Sequence, residues 1–257
     1  MSEGIIPATD VDGVIETLLS LVEESAEAKN PNGLFYALYT QVTRAVKAGL
    51  QENRFDDSAR MERLDVAFAN ILFQAVSRHR AGTSVTQSWG FFFGVASIRG
   101  LTAAQHMLLG VGPHILHDLA LATAQVIPEG EIDGFQADFN RINDILEKVL
   151  DQTETILGTK SCGMRFVDWF LCRGDEWAAM SALKLFRDEA FQGARRLQKV
   201  SGADRARVER DLDTMALDFC KLAAAPVTSC ALCEVGVPEA KEFPSLMRAF
   251  VQMRVAA

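Results

Sequence analysis

Three of the four histidines in this 257-residue chain, His106, His114 and His117, fall within twelve positions of a strongly apolar segment. Imidazole titrates near neutral pH, so it can act as acid, base or metal ligand. His114 and Asp118 are four residues apart, which puts them on one face of a helix. In that arrangement the carboxylate can accept the imidazole N–H and orient the ring, or the two side chains can chelate one cation. His117 precedes Asp118 by one position, about 100° around a regular helix, and is not expected in the same inner site. Gly110-Val111-Gly112-Pro113 stands immediately before His114. Pro113 has no N–H to donate, so it either kinks the helix and turns a side chain into a cavity, or opens a new helix at its first turn.

Asp65 is the second candidate. It lies in Arg63-Leu64-Asp65-Val66-Ala67-Phe68, one turn from Phe68, and is expected to face inward. A buried carboxylate needs a partner or keeps its proton. Asp56-Asp57 with Glu62 is a weaker acidic group whose spacing does not suit a magnesium–diphosphate site, and Asp57-Ser58 reads as a helix start. In the run from Asp138 to Asp144, Asn140, Asn143 and Asp144, with Glu147 beyond, share one face, as in any amphipathic helix, with Asn143 placed to face a site. Trp89, Phe91, Phe92, Phe93, Phe166, Trp169, Phe170 and Trp177 either line an apolar pocket or build core. Nucleophile-elbow, dinucleotide-binding, P-loop, HExxH and di-iron Glu-x-x-His motifs are absent.

The elements that must position these residues are helices. The 3.6-residue apolar period and the cap residues predict helices at about 10–29 (capped by Thr9), 34–50, 58–80 and a short one from Thr86. A capping box, Thr102-Ala103-Ala104-Gln105, opens the histidine helix, which runs to about Ile127. Further helices are expected at about 132–157, 164–171, 175–199, 203–224 (with Ser201 as cap) and 245–255. Strand-type alternation is absent. The expectation is an all-α, single-domain orthogonal bundle of about nine or ten helices spanning residues 1–257.

Composition narrows the function classes. Apolar residues make up 49 % and charged residues 23 %, enough for a sizeable core. A net charge of −8 argues against a polyanion partner, and the basic run around Arg195-Arg196 is broken by acids. The odd count of five cysteines, including a lone Cys230-Ala-Leu-Cys233, suggests reduced thiols and a cytoplasmic location. The N-terminus lacks a secretory pattern, and the most apolar segment, 89–98, is too short for a membrane span.

Several segments together resemble an uncharacterised helical family, domain of unknown function 5995. They are Leu38-Tyr39-Thr40-Gln41-Val42-Thr43, Phe55-Asp56-Asp57, Met61, Arg63 to Ala69, Gln105 to Gly110, His114-Ile115, Asp118-Leu119, Asp138 to Asn143, and Arg173 with Glu176-Trp177. The resemblance covers roughly 35–185. It implies a helical fold and one polar site holding His106, His114, Asp118, Asp65, Asp138 and Asn143, and it supplies no activity. The chain departs from the family pattern at Gly112-Pro113, where Asn-Ala is usual, and at Leu116-His117.

The expected function is therefore an enzyme acting on an apolar small molecule (lipid, terpenoid or polyketide-like) in a helical cavity. His114, Asp118, His106 and Asp65 form the catalytic set. Asn143, Asp138, Trp89, Phe92 and Trp177 are the substrate contacts, and one divalent ion on His114 and Asp118 is the metal-dependent variant. The alternatives are a non-catalytic binder of a hydrophobic ligand and a helical interaction module with structural histidines. The oligomeric state is not written in the sequence.

Overall fold

The structure, a computed structural model, describes residues 4–96, 98, 100–160, 176–224 and 240–253, with the side chains of 154–160 and 176–179 excepted. Every regular element among them is helical, and there are nine helices. They are α1 (Val11–Glu27), α2 (Gly33–Gln51), α3 (Ser58–Arg80), α4 (Gln87–Val95), α5 (Ala103–Val126), α6 (Ile132–Lys160), α7 (Glu176–Gln198), α8 (Gly202–Ala224) and α9 (Phe243–Gln252). The fold is all-α, as the apolar periodicity predicts. The helix expected at 164–171 lies outside the described residues, as do Phe166, Trp169, Phe170, Arg173, Cys162, Cys172, Cys230 and Cys233.

Local chemistry sets most of the boundaries. Asp10, rather than Thr9, caps α1, its carboxylate accepting the Gly13 N–H at 2.8 Å. Asp57 caps α3 and Thr86 caps α4. The capping box of α5 is formed in both directions, Thr102 N–H to Gln105 Oε1 (3.0 Å) and Gln105 N–H to Thr102 Oγ1 (3.3 Å). Gly82, at φ +66°, ends α3 with Gly82 N–H on the His79 carbonyl and Thr83 N–H on that of Arg78, a closure that favours a residue without Cβ.

α5 is the central helix. Its first half packs on α2 and α8, and its second half on α3 and α7. It is long and apolar enough to cross a membrane by length and composition, yet 83 % of that stretch is buried inside the protein. Two glycines permit the close approach. A Cβ on Gly110 would fall 2.1 Å from the Phe35 ring of α2, and one on Gly112 would fall 2.8 Å from Cys220 Sγ of α8.

Pro113 neither ends this helix nor opens a new one. The α-helical half Ala103–Pro113 passes into one π turn, His114–Asp118, and continues as Leu119–Val126. Leu119 N–H reaches back five residues to the His114 carbonyl. Proline at 113 leaves the Leu109 carbonyl, four residues earlier, without its helical N–H. The Cys220 thiol donates to that carbonyl at 3.4 Å.

Candidate functional site

The π turn gathers three side chains on one carboxylate. Asp118 is fully buried, and its oxygens accept from Trp89 Nε1 (3.1 and 3.3 Å), His114 Nδ1 (3.3 Å) and His117 Nδ1 (2.8 Å). The sequence expectation for His117 is overturned. A π turn holds more residues per turn, so neighbouring side chains diverge by a smaller angle than in an α-helix, and the carboxylate bridges the two rings. Trp89 is held by α4, whose first N–H groups, from Gln87 and Ser88, bind the buried Asp213 of α8 (2.9 and 3.0 Å).

The same carboxylate pushes its two histidines in opposite directions. Burial would raise the Asp118 carboxyl, but hydrogen bonds from His114 and His117 outweigh it and hold it below the ordinary carboxylate value. His114 is dominated by burial and is pushed below the usual imidazole range, with Asp118 opposing. His117 is also buried, but its bond to Asp118 and the charges of Asp118, Asp213 and Glu209 carry it above that range. An ionised carboxylate only accepts hydrogen bonds. The His114 proton therefore sits on Nδ1, and Nε2 keeps a free lone pair. Nε2 is buried and has no partner.

Below His114 lies a cavity of about 120 Å3 among α2, α3, α5, α6 and α7, with Phe219 of α8 also on its wall. Its walls are apolar except for four groups, His114, Asp65, Tyr39 and Arg187. Phe68 stacks on the His114 ring (3.6 Å between centroids, 9°), and Tyr39 meets the same ring edge-on at 4.4 Å. The Tyr39 hydroxyl and Asp65 Oδ2 are buried without hydrogen-bond partners. Burial, with a contribution from Glu62, raises the Asp65 carboxyl to about 7. Burial, then the charges of Asp65 and Asp118, raise the Tyr39 hydroxyl well above its ordinary value against the opposing Thr43 hydroxyl, so it stays protonated.

The structure places the remaining predicted residues elsewhere. His106 is buried edge-on against Phe243 of α9, away from the cavity wall, and burial lowers it to about 4. Phe92 is core, packed against Phe35, Tyr36, Trp89 and Phe93. Trp89 holds Asp118 rather than lining the cavity. Asp138 is a clamp. It accepts from the N–H groups of Asp56 (2.7 Å) and Asp57 (3.1 Å), from Arg60 (3.1 Å), and from Arg141, joining α6 to the start of α3. Asn143 accepts from Arg187 Nε at 2.8 Å and does not reach the cavity wall. The Trp177 side chain lies outside the described residues. Sequence reasoning missed Tyr39, Phe68 and Arg187 as site residues. Arg187 was detectable, since Leu183, Arg187, Ala190, Phe191 and Ala194 fall on one helical face.

The residues present do not fit the metal-dependent variant. Both Asp118 oxygens are committed to N–H donors, and His114 turns its protonated nitrogen toward them. Among the described residues, no three His, Cys, Asp or Glu side chains converge as a ligand set.

A family model described as a family of unknown function (DUF5995) covers residues 11–226. The chain belongs to that family. No curated protein and no solved structure matches it. The match extends beyond the 35–185 of the sequence resemblance, so this DUF5995 member has the site-bearing helices α2–α8 within the family region.

Proposed function

We propose that the protein is an enzyme that moves a proton on a small, largely apolar carbonyl compound held in the cavity. The observation that supports this reading is that three residues on the wall of one apolar cavity each carry a buried, unpartnered polar atom, His114 (Nε2), Asp65 (Oδ2) and Tyr39 (Oη). Unmet hydrogen-bonding groups cost about 1–3 kcal/mol each when buried, so a ligand that satisfies them recovers that energy on binding.

The roles follow from the protonation states. His114 is neutral with Nε2 bare, so it is the base, and Asp118 orients it and stabilises the imidazolium that forms. Tyr39, together with Asp65 in the fraction that holds its proton with the carboxyl raised to about 7, donates to the substrate oxygen, where charge develops as the adjacent carbon loses its proton. Returning a proton to a different carbon, from Asp65 or from the imidazolium, yields an isomer with no atoms gained or lost. Proton exchange with water then resets the pair.

Cavity size limits the substrate. An engineered cavity of roughly 150 Å3 holds a benzene molecule. At about 120 Å3 this one takes a molecule of similar size, or the reacting end of a longer one. That volume favours such a molecule over a whole terpenoid or polyketide. The nearly complete apolar lining also supports a ligand-binding protein without chemistry, and one experiment separates the two. The wild type should exchange the α-protons of 2-hexanone in D2O faster than buffer, followed by NMR. His114→Gln should lose about 100-fold of that rate or more. Exchange at the buffer rate, or an unchanged rate in folded His114→Gln, sinks the enzyme reading. We read the protein as cytoplasmic, in keeping with its free, buried Cys220.

A further inference from the structure

Arg187 enters the cavity from α7, on the side built with α6, whereas His114, Asp65 and Tyr39 enter from α5, α3 and α2. It is 3 % exposed. Its Nε donates to Asn143 Oδ1 (2.8 Å) and its Nη2 to the Phe139 carbonyl (2.6 Å), and its guanidinium lies 4.4 Å over the Phe139 ring. Nη1 donates to no described residue, and no described carboxylate pairs with the group. Arg60, by contrast, binds the buried Asp138. Burial lowers Arg187 only to about 9, with Asp188 opposing, so it stays charged at neutral pH. A buried cation without a counter-ion is costly, and the fork of a guanidinium matches a carboxylate better than any other small anion except phosphate.

We infer that the cavity takes an organic carboxylate, a short apolar acid whose anionic end pairs with Arg187 while its other end meets His114, Asp65 and Tyr39. This rests on the proposed function and narrows its substrate to a small oxo acid. The two neutral contacts of Arg187 hold the guanidinium in place and leave Nη1 for the ligand. The apolar walls between the two ends set the length and exclude strongly hydrated molecules.

The test is calorimetric titration at pH 7 with hexanoate, with the uncharged isostere hexanamide, and with sodium chloride or phosphate at matched ionic strength. Wild type should bind hexanoate at least tenfold more tightly than hexanamide. Arg187→Gln should lose that preference, and Arg187→Lys should keep part of it. Equal affinity for the acid and the amide overturns the carboxylate inference and leaves the enzyme reading standing. So does a preference that survives in Arg187→Gln, or displacement of hexanoate by equimolar phosphate. If neither compound binds, the carboxylate inference falls, and the 2-hexanone exchange experiment decides the enzyme reading separately. Should Arg187→Gln fail to fold, the wild-type comparison of acid and amide still decides.

Discussion

Asp138 and Asp65 are both buried carboxylates on helices, and they do opposite things. Asp138 is saturated with two backbone N–H groups and two arginines, which hold it below the ordinary carboxylate value against the effect of burial. Asp65 has an unpartnered oxygen in an apolar wall and rises to about 7. The first arrangement fixes two helices to one another. The second stores unmet hydrogen-bonding capacity where a ligand can use it. Burial alone therefore does not mark a functional acid; the number of donors around it does.

The contrast can be broken most directly at Asp65. A folded carboxyl at about 7 holds a proton that the unfolded chain, at 3.8, has released. This contribution to stability is complete below about pH 3.8 and is lost as pH rises through 7. At 1.36 kcal/mol per unit the loss approaches roughly 4 kcal/mol. Asp65→Asn should thus match wild type in urea denaturation at pH 4.5 and exceed it by about 2–4 kcal/mol at pH 8. A variant no more stable than wild type at pH 8 would show that Asp65 has a partner after all.

Asp138→Ala should move stability the other way, by about 3 kcal/mol at pH 7, because it strands two backbone N–H groups and two guanidinium groups. Asp138 has a lowered folded value, so its contribution is present above the unfolded value and disappears as pH falls through the folded one. Proton exchange on 2-hexanone, measured on the folded fraction, should be unchanged. A loss of turnover equal to that of His114→Gln would place Asp138 in the chemistry and erase the contrast.

Gly110→Ala tests the cavity side without touching a carboxylate. Its Cβ would push on the Phe35 ring, which also lines the cavity, and should cost about 1–3 kcal/mol by thermal denaturation. The smallest effect is expected for Arg60→Gln, which removes one of four donors to Asp138. About 1 kcal/mol in a urea titration fits a clamp that shares its load; a cost as large as that of Asp138→Ala would make Arg60 the essential partner.

The sequence made the helices legible because their signals are local. Asp57-Ser58, Thr86 and Thr102 with Gln105 act within one turn and announce their helix starts. The choice between Thr9 and Asp10 was a one-residue matter, settled by which side chain reaches Gly13. The His114–Asp118 contact was legible from its spacing. The π turn was not, because no residue within 114–118 signals the change of winding, and the Leu109 carbonyl that Pro113 strands is met by a thiol 111 residues later in the chain. His117 was misplaced for the same reason. Asp138 and Asp65 looked alike because sequence shows polarity and periodicity but not who donates to whom. Arg187 hid as one arginine among many, although its position on the apolar face of α7 set it apart.

Counted in codons rather than ångströms, the π turn is a single extra residue. Deleting one position between 114 and 118 would let the winding return to the α form while both halves of α5 kept their faces toward α2, α8, α3 and α7. The bundle would lose little. Asp118 would keep at most one of its two imidazoles, so a mutational event nearly silent for architecture would redraw the site.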